Sequence, residues 1–289
     1  MAPSLASLRA SNTELVGKLP GKPVAVFVGG TSGIGQGMAE TFAEWRQGRA
    51  HIVIVGRNEA AAKDIISQFP KVPASEQGQW SYEFVKCDAT LMKEGSSVCP
   101  EETRRRKAST RSSLCITTPR WKFTEQLLPG LKAAKDQGEE ARVISVFSTG
   151  YGGKIDVDDL GLKKKYSLNN AALSAATYND YLVESFAERN PDITFAHAFP
   201  GGVQTNIMAS AQSRWIRALN PLMNTIAPLF TVTRQECGTY LWHGLLTNAK
   251  APGSYRIDNK GNIKDGVQYS GDKEVAEKLW QHTLDATKV

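Results

Sequence analysis

The chain has 289 residues, with 35 Lys and Arg against 29 Asp and Glu, a net charge of +6. A hydrophobic share of 41% and a charged share of 22% suit an ordinary globular protein, and exclude a chain disordered throughout, a collagen and a disulfide scaffold. No apolar run approaches the roughly 18 residues that span a bilayer. The N-terminal stretch lacks the apolar core of a secretory signal, and Glu14 argues against a mitochondrial presequence.

Cys87, Cys99, Cys115 and Cys237 are scattered, as are His51, His197, His243 and His282. Zinc sites want closely spaced ligand pairs, so no metal is expected. Reduced cysteines in a cytoplasmic protein are the plain reading.

From residue 23 the chain alternates strand-like and helix-like segments. Pro23 to Val28 reads as a buried parallel strand, Ile34 to Arg46 as a helix, and His51 to Val55 as a second strand. A helix follows from Asn58, then a strand over Ser81 to Cys87. Phe123 to Lys135 reads as helix, Arg142 to Phe147 as strand, and Ala171 to Glu188 as a long helix. Ile193 to Phe199 is a strand ending at Pro200-Gly201. Thr233 to Thr247 and Lys273 to Thr287 read as closing helices. Repeated βα units predict a Rossmann-type doubly wound parallel sheet, an αβα three-layer arrangement. Residues 1–22 read as an N-terminal extension and 23–289 as a single domain.

The first strand is followed by Gly29-Gly30-Thr31-Ser32-Gly33-Ile34-Gly35 and then a helix. Glycines there allow a tight turn and close backbone approach to a pyrophosphate. The helix N-terminus supplies free N–H groups and the positive end of its dipole. Strand, glycines and helix stand in the order that nicotinamide dinucleotide binding needs. The second strand ends at Val55-Gly56-Arg57-Asn58, where an acid would select the NAD ribose. Arg57 stands there instead, and its planar fork suits a 2′-phosphate, which favours NADP(H).

These residues resemble the short-chain dehydrogenase/reductase family. Gly29, Gly33 and Gly35 match its glycine motif, with Thr31, Ser32 and Ile34 between them and Val28 where a Thr is usual. Asp88 matches the family's adenine-holding Asp. Ser148 matches the strand-end Ser that helps bind the substrate oxygen. Pro200 to Thr205, with Val203 and Thr205, matches the loop at the nicotinamide end. The run from Gly153 to Leu160 looks like the retinol-dehydrogenase-like and fungal secondary-metabolism branches. The resemblance implies hydride transfer between NADP(H) and a carbonyl or alcohol, and dimers or tetramers through the long helices are usual in it.

Two departures stand out. The family's chemistry needs Tyr-x-x-x-Lys on the long helix, the Tyr moving a proton and the Lys one turn on supporting it. Tyr followed by Lys at the fourth residue occurs at Tyr82/Lys86, on a strand, and at Tyr269/Lys273, at the C-terminal helix. Aligning forward from Gly153 puts the pair on Ala172 and Ala176, and aligning backward from Pro200 puts it on Asn170 and Ser174. Tyr166, just upstream, is the remaining candidate proton donor; its bland reading is an ordinary aromatic at a helix start.

The second departure lies between Asp88 and Trp121, where the family places a helix, a central fourth strand ending in Asn-Asn-Ala-Gly, and part of the next helix. No Asn-Asn-Ala-Gly occurs, and Ser113 to Thr118 is the one strand-like run. The fourth-strand region therefore reads as irregular or incomplete, through a deletion or a mis-spliced stretch. Seven basic residues against two acidic ones fall between 99 and 122, so the net charge sits mainly in this segment and is no nucleic-acid footprint.

Residues 206–230 are rich in Ile, Leu, Met, Trp and Phe, at the family's lid position. Such a lid suits a hydrophobic substrate, a terpenoid or polyketide alcohol or ketone, although the same pattern serves packing equally well. The expected function is an NADP(H)-dependent oxidoreductase. The alternative is a non-catalytic NADP(H)-binding protein without the Tyr/Lys pair. A gene product that does not fold stably is the third reading.

Overall fold

The structure is a computed structural model that describes residues 3–88, 114–204, 231–266 and 271–287. In chain order the elements are α1 (Leu5–Gly17), β1 (Val24–Val28), α2 (Gly33–Trp45), β2 (His51–Gly56), α3 (Glu59–Ser67), β3 (Tyr82–Lys86), α4 (Leu114–Asp136), β4 (Arg142–Val146), α5 (Leu168–Arg189), β5 (Thr194–Ala198), α6 (Arg234–His243), β6 (Gly253–Ile257) and α7 (Lys273–Thr287). The α/β class and the parallel Rossmann-type pairing are as the sequence implies. The described strands form two sheets of three, β1-β2-β3 and β4-β5-β6. The contacts divide the chain into two compact units.

The first unit comprises residues 1–87, 200–248 and 259–261. Its strands pair in parallel, with Val26 opposite Val53 and Phe27 opposite Ile54, then Ile54 opposite Phe84. Ile52 and Ile54 are fully buried on the central strand. On β1, at the end of the described order, Phe27 turns inward against Phe42 and Trp242, while Val24 remains 66% exposed. The sequence suggests a strand buried on both faces, and β1 is buried on one.

Helix α6 starts at a capping box in which Thr233 and Glu236 satisfy each other's backbone. It crosses α2 at Gly37, where a Cβ would come 2.3 Å from the Arg234 carbonyl oxygen. Helix α1 lies within the N-terminal extension. Its buried Asn12 donates to the Thr239 carbonyl at 2.9 Å, which ties the extension to α6.

The second unit comprises residues 88–199, 249–258 and 262–289. Its strands are parallel, with Ser145 opposite His197 and His197 opposite Arg256. Trp121, Leu182, Phe186 and Phe195 form an apolar core against which Trp280 of α7 packs. Of the strand-like run Ser113 to Thr118, the described part is helix: α4 begins at Leu114, continuous with the helix expected from Phe123. Burial of Trp121, at 1% exposure, fixes that helix and overrides the β preference of a short Ile-Thr-Thr run. The rest of the irregular segment, residues 89–113, lies outside the described residues. Strand β6 escapes the sequence reading because Gly253-Ser-Tyr-Arg-Ile257 is short, starts on Gly and carries no apolar run.

Candidate active site

In the first unit the glycine loop joins β1 to α2. Gly29 has φ +81°, which an L side chain rarely adopts, and its N–H donates to the Val55 carbonyl at 2.8 Å. At Gly35 a Cβ would lie 2.8 Å from the Gly29 carbonyl oxygen, so the first turn of α2 can pack on the loop only without a side chain. Ser32 is the N-cap residue of α2, yet its hydroxyl makes no capping bond, and no acid stands in the first turn. The amide groups of Gly33 and Ile34 thus open a helix N-terminus with no acid in its own first turn. This cradle fits the pyrophosphate of a dinucleotide.

Arg57 follows β2 on the same side of the sheet. Thr31 rests on Gly56, where a Cβ would meet the Thr31 Cγ2 at 2.8 Å, so the loop and the residue before Arg57 are in contact. Arg57 is exposed and forms no ion pair among the described residues, which leaves its guanidinium available to an anion. Asn58 caps α3 by accepting from the Ala61 N–H at 3.1 Å, so its carbonyl oxygen already has a structural task. Val203 bridges to Val232. Thr205 and the apolar stretch 206–230 lie outside the described residues.

In the second unit, Asp88 is the first residue, half-buried, directly after the Cys87 that follows β3. Ser148 lies two residues past β4, half-buried, at the C-terminal end of a parallel strand where α/β sheets bind ligands. A turn begins on it: the Tyr151 N–H donates to the Ser148 carbonyl at 3.1 Å. Tyr151 packs its ring on Phe199, past the end of β5, with centroids 4.4 Å apart. Lys264 places its ammonium 4.3 Å from the centre of the Tyr151 ring. The intervening Gly150 leaves room for this lysine, because a Cβ there would come 2.7 Å from its Nζ. A hydroxyl, a phenol and an ammonium are thus gathered around one turn.

The tyrosines of the long helix are occupied otherwise. Tyr178 is buried and donates to the Leu160 carbonyl at 2.9 Å, and Tyr181 is 4% exposed in the core. Tyr166 precedes the N-cap Ser167 and is 44% exposed, with no hydrogen bond among the described residues. Tyr82 and Lys86 lie on β3, as the sequence indicates, and Tyr269 lies outside the described residues. Tyr151 and Lys264 escape a search for lysine four residues after tyrosine, since the chain brings them together only through the β6 return. The signal available in the sequence is Tyr151's place three residues after Ser148.

Beneath this turn lies a buried ionic group. Asp180 of α5, 1% exposed, accepts from the Thr149 hydroxyl at 2.6 Å and pairs with the His197 Nδ1 at 2.7 Å. The Arg256 Nε lies 3.4 Å from the same oxygen, and the guanidinium also pairs with Glu184. Burial alone would raise the Asp180 carboxyl, but the His197 and Thr149 hydrogen bonds and the Arg256 charge hold it below its usual range. Burial pushes His197 down, against the pull of Asp180, so the imidazole stays neutral. Among the described residues no cluster of His, Cys, Asp or Glu could hold a metal, and no helix is long and apolar enough to cross a membrane.

No family model matches the chain. It is 29% identical to an oxidoreductase, andH, of Emericella variicolor, over 98% of this chain and 96% of that protein. That alignment runs over 335 positions, more than the chain's 289 residues, so the relative carries positions that this chain skips. The chain is 27% identical to short-chain dehydrogenase/reductase SAT2 of Stachybotrys chartarum, over 87% of this chain and 80% of that protein. In fold it matches an NADPH-bound carbonyl reductase from chicken fatty liver with a TM-score of 0.52 and 15% identity, over 85% of this chain and 99% of that one.

Proposed function

We propose that this chain, of the short-chain dehydrogenase/reductase type in sequence and fold, interconverts an alcohol and a ketone on a hydrophobic small molecule with NADP(H). The observation that carries the proposal is the cradle at the start of α2, where Gly35 must lack a side chain and the first turn holds no acid. Arg57, exposed and without an ion pair among the described residues, supports the phosphorylated cofactor over NAD(H). Asp88 takes the adenine end in this reading, and Val203 and Thr205 the nicotinamide end. The hydrophobic substrate class, a terpenoid or polyketide, rests on the apolar run 206–230 and on the resemblance to fungal branches.

When bound, NADP(H) supplies or accepts the hydride. Ser148 donates a hydrogen bond to the substrate oxygen. In the reducing direction Tyr151 gives its phenolic proton to that oxygen and regains one from water, to which it is 53% exposed. Lys264 offsets the negative charge left on the phenol. Tyr151 takes this role rather than Tyr166 because it shares a turn with Ser148 and carries a cation on its ring.

The second reading is a protein that binds NADP(H) without turning it over. Its support is the loss of Tyr-x-x-x-Lys from α5, where Asn170, Ala172, Ser174 and Ala176 occupy the aligned places. Titrating the purified chain with NADPH and NADH, then following cofactor absorbance with a panel of apolar ketones, separates the two. Binding with turnover supports the enzyme, and binding without it the second reading. Failure to bind either cofactor overturns both.

A further inference from the structure

We infer that Asp180 is a positioning residue: its buried carboxylate sets the turn that carries Ser148 and Tyr151. The inference rests on the assignment of that turn to the reaction. The inner face of a parallel sheet is ordinarily apolar. Here Ser145, His197 and Arg256 form one polar row across β4, β5 and β6. Helix α5 lays Asn179, Asp180 and Glu184 over that row, and the Ser145 hydroxyl donates to Asn179 at 3.3 Å. Arg120 of α4, half-buried and beside Phe147, adds a second positive charge to the field at His197. A buried charge cluster in place of well-packed apolar groups adds little stability, so its use lies in what it holds in place.

What it holds is the turn. Both central residues of the turn bond to Asp180: Thr149 through its hydroxyl at 2.6 Å, and Gly150 through its N–H at 3.3 Å. Gly150 has φ +74°, a left-handed conformation that glycine adopts without strain, so the turn closes tightly enough to bring both groups onto the carboxylate. The flanking residues are Ser148 and Tyr151, whose side chains must stand within a fraction of an ångström of their working positions. Asp180 is itself fixed from the sheet by the His197 Nδ1–H and the Arg256 guanidinium. His197 acts as a neutral strut, its Nε2 buried without a hydrogen-bond partner among the described residues.

The test uses the full chain with Thr149→Val, Thr149→Ser and Asp180→Asn. Amide hydrogen exchange is read over residues 147–153, beside cofactor titration, thermal midpoint and kcat with KM. Thr149→Val is expected to exchange about tenfold faster over the turn and to lose about tenfold in kcat, the scale of one charge-assisted hydrogen bond. Its cofactor affinity stays unchanged. Thr149→Ser, which keeps the hydroxyl, is expected within about twofold of the parent on both measures. Asp180→Asn keeps the shape and is expected to follow Thr149→Val, so the comparison survives if one of the two folds poorly. Exchange over the turn that is the same in Thr149→Val and Thr149→Ser overturns the inference. A parent chain that shows the exchange pattern but no turnover upholds the positioning role and contradicts the proposed reaction.

Discussion

Lys264 holds its ammonium 4.3 Å from the centre of the Tyr151 ring, across a glycine whose missing side chain makes room for it. The two residues are far apart in sequence and meet because the chain turns back after β6, where the Lys264 N–H donates to the Arg256 carbonyl at 2.8 Å. An ammonium in this place offsets charge that develops on the phenol as its proton leaves. Tyr151→Phe is therefore expected to lower kcat by about 10² or more, the usual contribution of a positioned acid or base. Lys264→Met is expected to lower it by about tenfold. Both should bind NADPH as the parent does, which a fluorescence titration checks.

Arg57 is the one residue argued to select the phosphorylated cofactor. Replacing it with Ala removes a charge-assisted pair worth about 1.5–3 kcal/mol, or about 10–100-fold in affinity. The loss is expected for NADPH alone. Parallel titrations with NADPH and NADH check it, and an equal loss for both would assign Arg57 another role.

Acid should destabilise the second unit. His197 and Asp180 both bind protons less readily folded than unfolded. The His197 contribution is complete above its unfolded value of about 6.5 and is lost as the pH falls toward its lower folded value. Asp180 adds a further loss over the carboxylate range, as protonation removes the partner of His197 and Arg256. The slope for one such group is at most about 1.4 kcal/mol per pH unit. Thermal midpoints measured from pH 7 to 5 should fall, and His197→Gln should flatten that fall.

The extension before the first strand is part of the first unit. Asn12→Ala removes the bond to the Thr239 carbonyl of α6, at a cost of about 0.5–1.5 kcal/mol. A urea melt should show the midpoint moving down with an unchanged slope.

The glycine loop was readable because local rules alone specify it. A short apolar strand, glycines where the backbone turns or packs closely, and a helix start follow one another in the chain. The same holds for β2 and its Arg57. The β6 strand and the Tyr151–Lys264 pair were not readable, since each depends on a partner brought in from far along the chain. Asp180 and His197 gave a faint signal, an acid among the apolar residues of α5 and a histidine in the apolar strand β5. Periodicity reports which face is buried, and it is silent on which buried polar groups find one another. The strand-like look of the run ending at Thr118 misled for a related reason, as Trp121 draws Leu114 to Thr118 into a helix.

The most direct test is a single-turnover reduction of an accepted apolar ketone, following NADPH absorbance in the parent, Tyr151→Phe and Tyr166→Phe. The parent and Tyr166→Phe are expected to consume bound NADPH at similar rates, while Tyr151→Phe binds it and consumes it at least about 10²-fold more slowly. Undiminished consumption by Tyr151→Phe, or a parent chain that binds no NADPH, would overturn the proposed reaction.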